Sequence, residues 1–141
     1  MSPKLGSPPR SNCPLNAFLE LFGDRWSLLV VRDLMFGDRR EFNEFLSARE
    51  GIATNVLADR LRRLEAHGVV TRSRHPTDAR KGVYSLSEKG AELAPALIEM
   101  ALWAAKHEGL EMPPSLSGRL ADREKLVADL KARIHALGDE A

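Results

Sequence analysis

Apolar residues at Leu15, Phe18, Leu19 and Phe22 recur at i, i+3, i+4 and i+7 behind Pro14, so the stretch from Pro14 to Phe22 predicts a first helix with proline at its opening position. Gly23 ends it, and Asp24 is placed to cap a second helix from about Arg25 to Phe36. Trp26, Leu28, Leu29, Val30, Val31, Leu34 and Met35 cover most of that helix's circumference, which predicts burial on several sides. A short third helix, about Glu41 to Ala48, offers Phe42, Phe45 and Leu46 to a core. After a turn from Arg49 to Ala53 that contains Gly51, a fourth helix runs from about Thr54 to His67 and stops at Gly68.

Two strand-like segments follow, Val69 to Arg74 and Gly82 to Leu86, and the turn residues from Pro76 to Lys81 make them a hairpin. Ser87 can cap a fifth helix, about Glu88 to His107, which Pro95 should bend. Pro113, Pro114, Ser115, Ser117 and Gly118 read as a linker. A last helix, about Arg119 to Leu137, places Leu120, Val127 and Ile134 seven apart with Leu130 and Leu137 between them. The expected organisation is a mobile arm at residues 1–12, a folded domain at 13–107, a linker at 108–118 and an amphipathic helix at 119–141.

The fold class is therefore mainly helical with one small β-hairpin. Its order of helix, helix, short helix, turn, helix and hairpin is that of a winged helix-turn-helix. No apolar run approaches the ~20 residues that a bilayer span needs, and the first residues lack the apolar stretch of a signal peptide, so a cytoplasmic location and no membrane partner are expected. One cysteine, Cys13, excludes an internal disulfide, and His67, His75, His107 and His135 show no metal-ligand spacing. No metal or cofactor is expected. With no paired nucleophile and base and no phosphate-binding glycine loop, an enzyme is not expected either.

The net charge of +1 conceals a local excess. From Thr54 to Gly82 the bases Arg60, Arg62, Arg63, Arg72, Arg74, Arg80 and Lys81 outnumber the acids Asp59, Glu65 and Asp78. At ~100° per residue, Leu57, Leu61 and Leu64 form the core stripe of the fourth helix, leaving Asn55, Asp59, Arg62 and Ala66 on the opposite face. Asparagine can pair with an adenine edge, aspartate can accept from cytosine, and arginine can grip guanine or a phosphate. Thr54, Ala58 and Arg63 adjoin this set. The face is either a DNA-reading surface or a solvated helix flank, and the layout favours the first.

Arg60 points only about 60° from the leucine stripe, which suits a brace to a carboxylate better than a base contact. Arg72, Arg74, Arg80 and Lys81 on the hairpin are candidates for phosphates or a minor groove, against the alternative of an ordinary charged loop. Arg39 and Arg40, with Asn43 as a weaker candidate, would contact phosphates ahead of the third helix.

Several segments, in register from Cys13 to His107, carry a family likeness: Cys13-Pro14, Gly23-Asp24-Arg25-Trp26-Ser27-Leu28-Leu29, Arg40-Glu41-Phe42-Asn43-Glu44-Phe45, the helix from Val56 to Glu65, Gly68-Val69-Val70, and Tyr84-Ser85-Leu86-Ser87-Glu88-Lys89-Gly90. Together they resemble the HxlR family of bacterial transcription regulators. The resemblance implies a homodimer, a recognition helix, a wing and, for most members, repression of neighbouring genes. Two features depart from it. Ala53 stands where relatives often hold a serine cap, leaving Thr54 to supply one, and the wing turn from Pro76 to Arg80 is closer to that of MarR-type regulators.

Cys13 sits at a helix start, where unpaired N–H groups favour a thiolate. In some relatives a cysteine at this position senses oxidants or electrophiles, so either a small-molecule or oxidant effector acts at Cys13 or the residue is a plain helix cap. Leu93, Leu97, Met100 and Trp103 on the fifth helix and Leu120, Val127, Leu130, Ile134 and Leu137 on the last form stripes that must be covered. They either fold back on the core or, with Leu15, meet a partner subunit, the reading preferred because the core is small. Two functions compete: a homodimeric regulator on palindromic double-stranded DNA, and a winged-helix module that binds protein alone.

Overall fold

Proline cannot donate a backbone hydrogen bond, so it costs nothing at the first turn of a helix, and Pro14 opens α1 (Pro14–Phe22) from an extended Cys13. The computed structural model describes residues 10–37 and 39–140, so most of the expected arm at residues 1–12 lies outside the described residues. The apolar stripe of α1 divides: Phe18 and Phe22 stack inward with ring centroids 4.8 Å apart, while Leu15 and Leu19 stay exposed.

The second helix, α2 (Ser27–Phe36), begins two residues later than the sequence predicts. Asp24 still serves its start, its Oδ2 accepting the backbone N–H groups of Trp26 at 2.8 Å and Ser27 at 3.0 Å. Val30, Val31, Leu34 and Met35 are buried, and α2 runs through the centre of the molecule against α4 (Thr54–Ala66) and the hairpin strand β2 (Gly82–Leu86). Between α2 and α4 lies α3 (Phe42–Leu46), opened by a reciprocal capping box of Glu41 and Glu44.

Leu57, Leu61 and Leu64 bury one face of α4 as expected. Its first residue is preceded by Ala53 with no side-chain cap, so Thr54 does not supply the cap expected of it. Gly68 ends the helix at φ +75°, a left-handed turn where a side chain would be strained, and the Val69 N–H returns to the Leu64 carbonyl at 2.9 Å. β1 (Val70–Arg74) then pairs antiparallel with β2, from Val70 opposite Leu86 to Arg74 opposite Gly82. Glu41 forms an isolated bridge to Val83, which tethers the start of α3 to the hairpin.

The single bent helix expected from Glu88 to His107 is two helices, α5 (Glu88–Ala91) and α6 (Ala94–Glu108). Pro95 lies in the first turn of α6, and its ring and missing N–H exclude a continuous helix through the preceding turn. Ser87 caps α5 as expected, accepting the Gly90 N–H at 3.1 Å. The expected linker contains a short helix, α7 (Pro114–Ser117), and the last helix, α8 (Arg123–Glu140), starts four residues later than predicted. Among the described residues no helix is long and apolar enough to cross a membrane.

The larger correction concerns where α8 goes. It packs on β2, α2, α5 and α6 of its own chain, with Leu126, Leu130 and Ile134 buried in the core. Leu130 and Ile134 are thus spent within one chain and cannot form the dimer surface expected of them. Val127 and Leu120 are partly buried against the same core, and Leu120 precedes the helix. A period of seven describes a stripe but not whose core it covers. The residues that decide the packing, Leu126, Leu130 and Ile134, recur every four.

Candidate nucleic-acid interface

The outer face of α4 carries Thr54, Asn55, Ala58 and Arg62, all exposed, with Asp59 half-buried beside them. The Arg62 side chain is 73% exposed, and its Nη2 donates to Asp59 Oδ1 at 2.7 Å. Asp59 also accepts from Arg60 Nη1. Its carboxylate therefore holds two guanidinium groups, one on each oxygen, and each oxygen keeps a lone pair with which to accept from a base edge. Arg62 keeps an exposed, charged end on this face.

Arg60 braces α4, as its angle on the helical wheel predicts. Its Nε meets Asp24 Oδ2 at 2.9 Å, joining α4 to the entry of α2. Burial of Asp24 opposes its ionisation, but hydrogen bonds from Ser27 and Arg60 and from the backbone of Trp26 and Ser27 outweigh it and hold the carboxyl at about 2. A second tie runs from α2 to the turn between α3 and α4, where Arg32 grips Glu50 through Nη1 and Nη2 at 2.8 and 2.9 Å. The hydrogen bonds from Arg32 hold Glu50 at about 2 as well. Both flanks of the α3–α4 unit are thereby anchored to the central helix.

Two expected DNA contacts turn inward. Arg63 reaches across to α1, with Nη2 3.5 Å from the Glu20 carbonyl oxygen, while its Nε and Nη1 are buried without a hydrogen-bond partner among the described residues. Arg40 is tied down on three sides, donating to Ser85 Oγ at 2.8 Å, the Leu137 carbonyl at 3.3 Å and the Tyr84 carbonyl at 3.4 Å. Neither presents its charge to a groove. Both were assigned outward from position alone, and a long side chain can fold either way from one backbone site.

Arg39 is partly exposed, 3.6 Å from the buried Asp33 carboxylate. Asn43 is exposed at the start of α3 and shares a groove with Arg72, Arg80 and Lys81 of the hairpin. Arg72 and Arg74 project from β1, and Arg80 at the hairpin tip is 91% exposed, holding Asp78 at 3.2 Å. His75 Nε2 lies 3.5 Å from Glu41 Oε1, a contact between hairpin and α3 that sequence reading did not anticipate. A polar helix face and a basic hairpin packed against that helix through β1 can together offer donors to base edges and cations to a polyanion.

Away from this surface, large apolar groups stay uncovered. Leu15 and Leu19 on α1 are 65% and 52% exposed, and Met100 and Trp103 on α6 are 41% and 63% exposed. Leu93 and Leu97 are partly buried against the core, and Leu137 near the far end of α8 is partly exposed. Leu19 belongs with this set and was missed, although it sits on the same predicted stripe as Leu15. Cys13 is exposed at the N-cap of α1, and its side chain makes no capping hydrogen bond.

Comparison with known proteins bears on this geometry. The family described as HxlR-like helix-turn-helix matches residues 21–112. An uncharacterised HTH-type transcriptional regulator of Synechocystis is 40% identical over 88 residues, a match covering 62% of this chain and 64% of that protein. The HTH-type transcriptional regulator YodB of Bacillus subtilis is 37% identical over 93 residues, covering 65% of this chain and 82% of YodB. The structure of reduced YodB superposes with a TM-score of 0.56 at 34% identity, over 69% of this chain and 95% of YodB. The redox regulator HypR in its reduced form gives 0.61 at 32% identity, over 68% of this chain and 94% of HypR.

Proposed function

The chain belongs to the HxlR-like helix-turn-helix family, and from that premise we propose that it is a cytoplasmic transcription regulator that binds double-stranded DNA as a homodimer. The observation that carries the reading is the joining, on one α4–hairpin unit, of a largely exposed face, Thr54, Asn55, Ala58 and Arg62 with the half-buried Asp59, to the exposed cations Arg72, Arg74 and Lys81. In this reading α4 enters a major groove, Asn55 and Arg62 address base edges, and the hairpin lies along phosphates or the neighbouring minor groove. Arg39 and Asn43 add contacts to the backbone of the duplex.

Support for two copies comes from the uncovered leucines, methionine and tryptophan of α1 and α6, which a two-fold partner would bury. Two recognition helices set about 34 Å apart, or a multiple of that, call for a palindromic operator, and repression follows where that operator overlaps a promoter. The rival reading of a winged-helix module that binds protein alone finds no support among the relatives, which carry the names of transcriptional regulators.

Cys13 is the proposed sensory site. Its thiol is open to solvent at a helix start, and a single cysteine can act by adduct formation or by pairing with a second chain. YodB has been captured in quinone-bound and diamide-treated forms, and HypR in an oxidised form. The deciding experiment for the whole reading is selection of bound fragments from a randomised duplex library at low salt. Recovery of a palindrome supports it, and a purified protein that retains no duplex sinks it.

A further inference from the structure

The last four carbonyls of any helix lack partners within it, and its C-terminal end carries partial negative charge. At the end of α2 these groups are met by a residue from nearly a hundred positions downstream. Arg133 of α8 donates through Nη1 to the Met35 carbonyl at 2.7 Å and through Nη2 to the Gly37 carbonyl at 2.9 Å. The connection from α2 to α3 is gripped from its other side as well. The Arg40 carbonyl accepts the Tyr84 N–H of β2 at 2.8 Å, and the Arg40 guanidinium reaches Ser85 and the Leu137 carbonyl of α8.

Four elements therefore converge on a few residues of connecting chain: α2, the start of α3, β2 and α8. The family match ends at residue 112, so α8 lies beyond the matched segment. Its buried stripe, Leu126, Leu130 and Ile134, seats it firmly enough to act as an anchor.

We propose that α8 is a strap that fixes the hairpin and α3 as one frame behind α4, with Arg133 as a positioning residue for operator recognition. This rests on the DNA-binding reading above. The physical need is clear from the lengths involved. With only five residues α3 cannot hold its own orientation, and a two-stranded hairpin is marginal without support. Base readout requires side chains held within a fraction of an ångström, whereas phosphate attraction does not. Loosening the joint therefore costs specific binding and leaves non-specific binding nearly intact.

The test uses the full-length chain carrying Arg133→Gln or Arg133→Lys. Affinity is measured for the best duplex that the wild type recovers from a randomised library and for a scrambled duplex of the same length, alongside amide hydrogen exchange. With glutamine, exchange at Gly37 and Tyr84 should quicken roughly tenfold while Leu61 and Leu64 in α4 stay protected, which excludes global unfolding. Affinity for the selected duplex should fall about tenfold and that for the scrambled one less than about twofold, with lysine in between. A purely structural role would lower both affinities in proportion to the folded fraction, and that result overturns the proposal. Unchanged exchange at Tyr84 in Arg133→Gln, where the wild type does bind its operator, overturns the strap alone. A wild type that prefers no duplex overturns the DNA-binding reading and the positioning role with it.

Discussion

Arg60 of α4 and Asp24 at the entry to α2 meet at 2.9 Å, and the same Asp24 carboxylate takes up Ser27 Oγ at 2.6 Å. One carboxylate thus serves a helix start and the bracing of α4. Because folding lowers this group from 3.8 to about 2, its ionised form favours the native state. The stabilisation, on the order of 2 kcal/mol, is fully present above pH ~3.8 and is lost as pH falls through about 2. Asp24→Asn should be less stable at neutral pH by a similar amount and show a shallower decline on acidification. Equilibrium urea unfolding from neutral to acid pH measures both, and parallel curves for the two proteins would refute the assignment.

Arg62 and Arg63 are adjacent in sequence and opposite in fate, one exposed and paired with Asp59, the other turned toward the Glu20 carbonyl. Arg62→Ala should leave stability within about 0.5 kcal/mol and reduce the slope of log affinity against log salt by about one. Arg63→Met, which replaces a buried charge with an apolar chain of similar length, should be neutral or stabilising and leave that slope unchanged. Salt titrations of both variants on one duplex decide the matter: slopes reduced equally in both would mean that Arg63 swings outward on DNA, and slopes unchanged in both would remove Arg62 from the interface.

This pair also marks the limit of sequence reading. The α4 core face was legible because Leu57, Leu61 and Leu64 share one wheel position and Gly68 supplies the stop. Arg60 was legible because its angle sets it beside that face. Arg63 and Arg40 were not, since their long side chains choose partners, the Glu20 and Leu137 carbonyls, that are close only after folding. Pro95 signalled an interruption, but not that a fresh helix would begin there after a break at Leu93. The packing of α8 in cis was invisible for the same reason as the arginines: an amphipathic stripe carries no address.

Gly82 lies directly across the hairpin from Arg74, yet the group that needs its missing side chain is Arg72. A Cβ at Gly82 would overlap the Arg72 guanidinium at Nε. Arg72 can swing aside, so Gly82→Ala should cost under about 1 kcal/mol of stability. What changes is the aim of the cation that lies in the groove beside Asn43. Duplex affinity should drop several-fold in Gly82→Ala, and adding Arg72→Ala should then cost little more. If the two losses instead add in full, Gly82 does not position Arg72.

Cys13 offers a test of regulation that needs no knowledge of the controlled genes. Its exposed thiol should react with a quinone or with diamide, and operator affinity should change by about fivefold or more, within the usual range of allosteric coupling. Cys13→Ser should bind the same operator as tightly as the untreated wild type and ignore both reagents. Mass spectrometry separates an adduct from an intermolecular disulfide. A treated wild type that carries the adduct yet binds unchanged would leave Cys13 without a sensory role.

With Leu126, Leu130 and Ile134 of α8 buried in their own chain, the outer sides of α1 and α6 offer uncovered apolar groups to the proposed second chain. Leu19 and Trp103 are the sharpest probes because they are large, apolar and more than half exposed. Replacing an exposed group costs the monomer little, so Leu19→Asp or Trp103→Glu should leave the fold intact while burying a charge in any two-fold interface. Sedimentation at micromolar concentration should then find monomers for these variants and a dimer for the wild type. Binding to a palindrome should weaken by about a hundredfold or more, because two linked half-site contacts become one. Ile134→Glu supplies the contrast, since that residue is buried within one chain and its loss should unfold the protein without yielding a folded monomer. Should Trp103→Glu and Leu19→Asp both remain dimeric with unaltered affinity, subunit contact must lie elsewhere, and the uncovered faces of α1 and α6 would need a different partner.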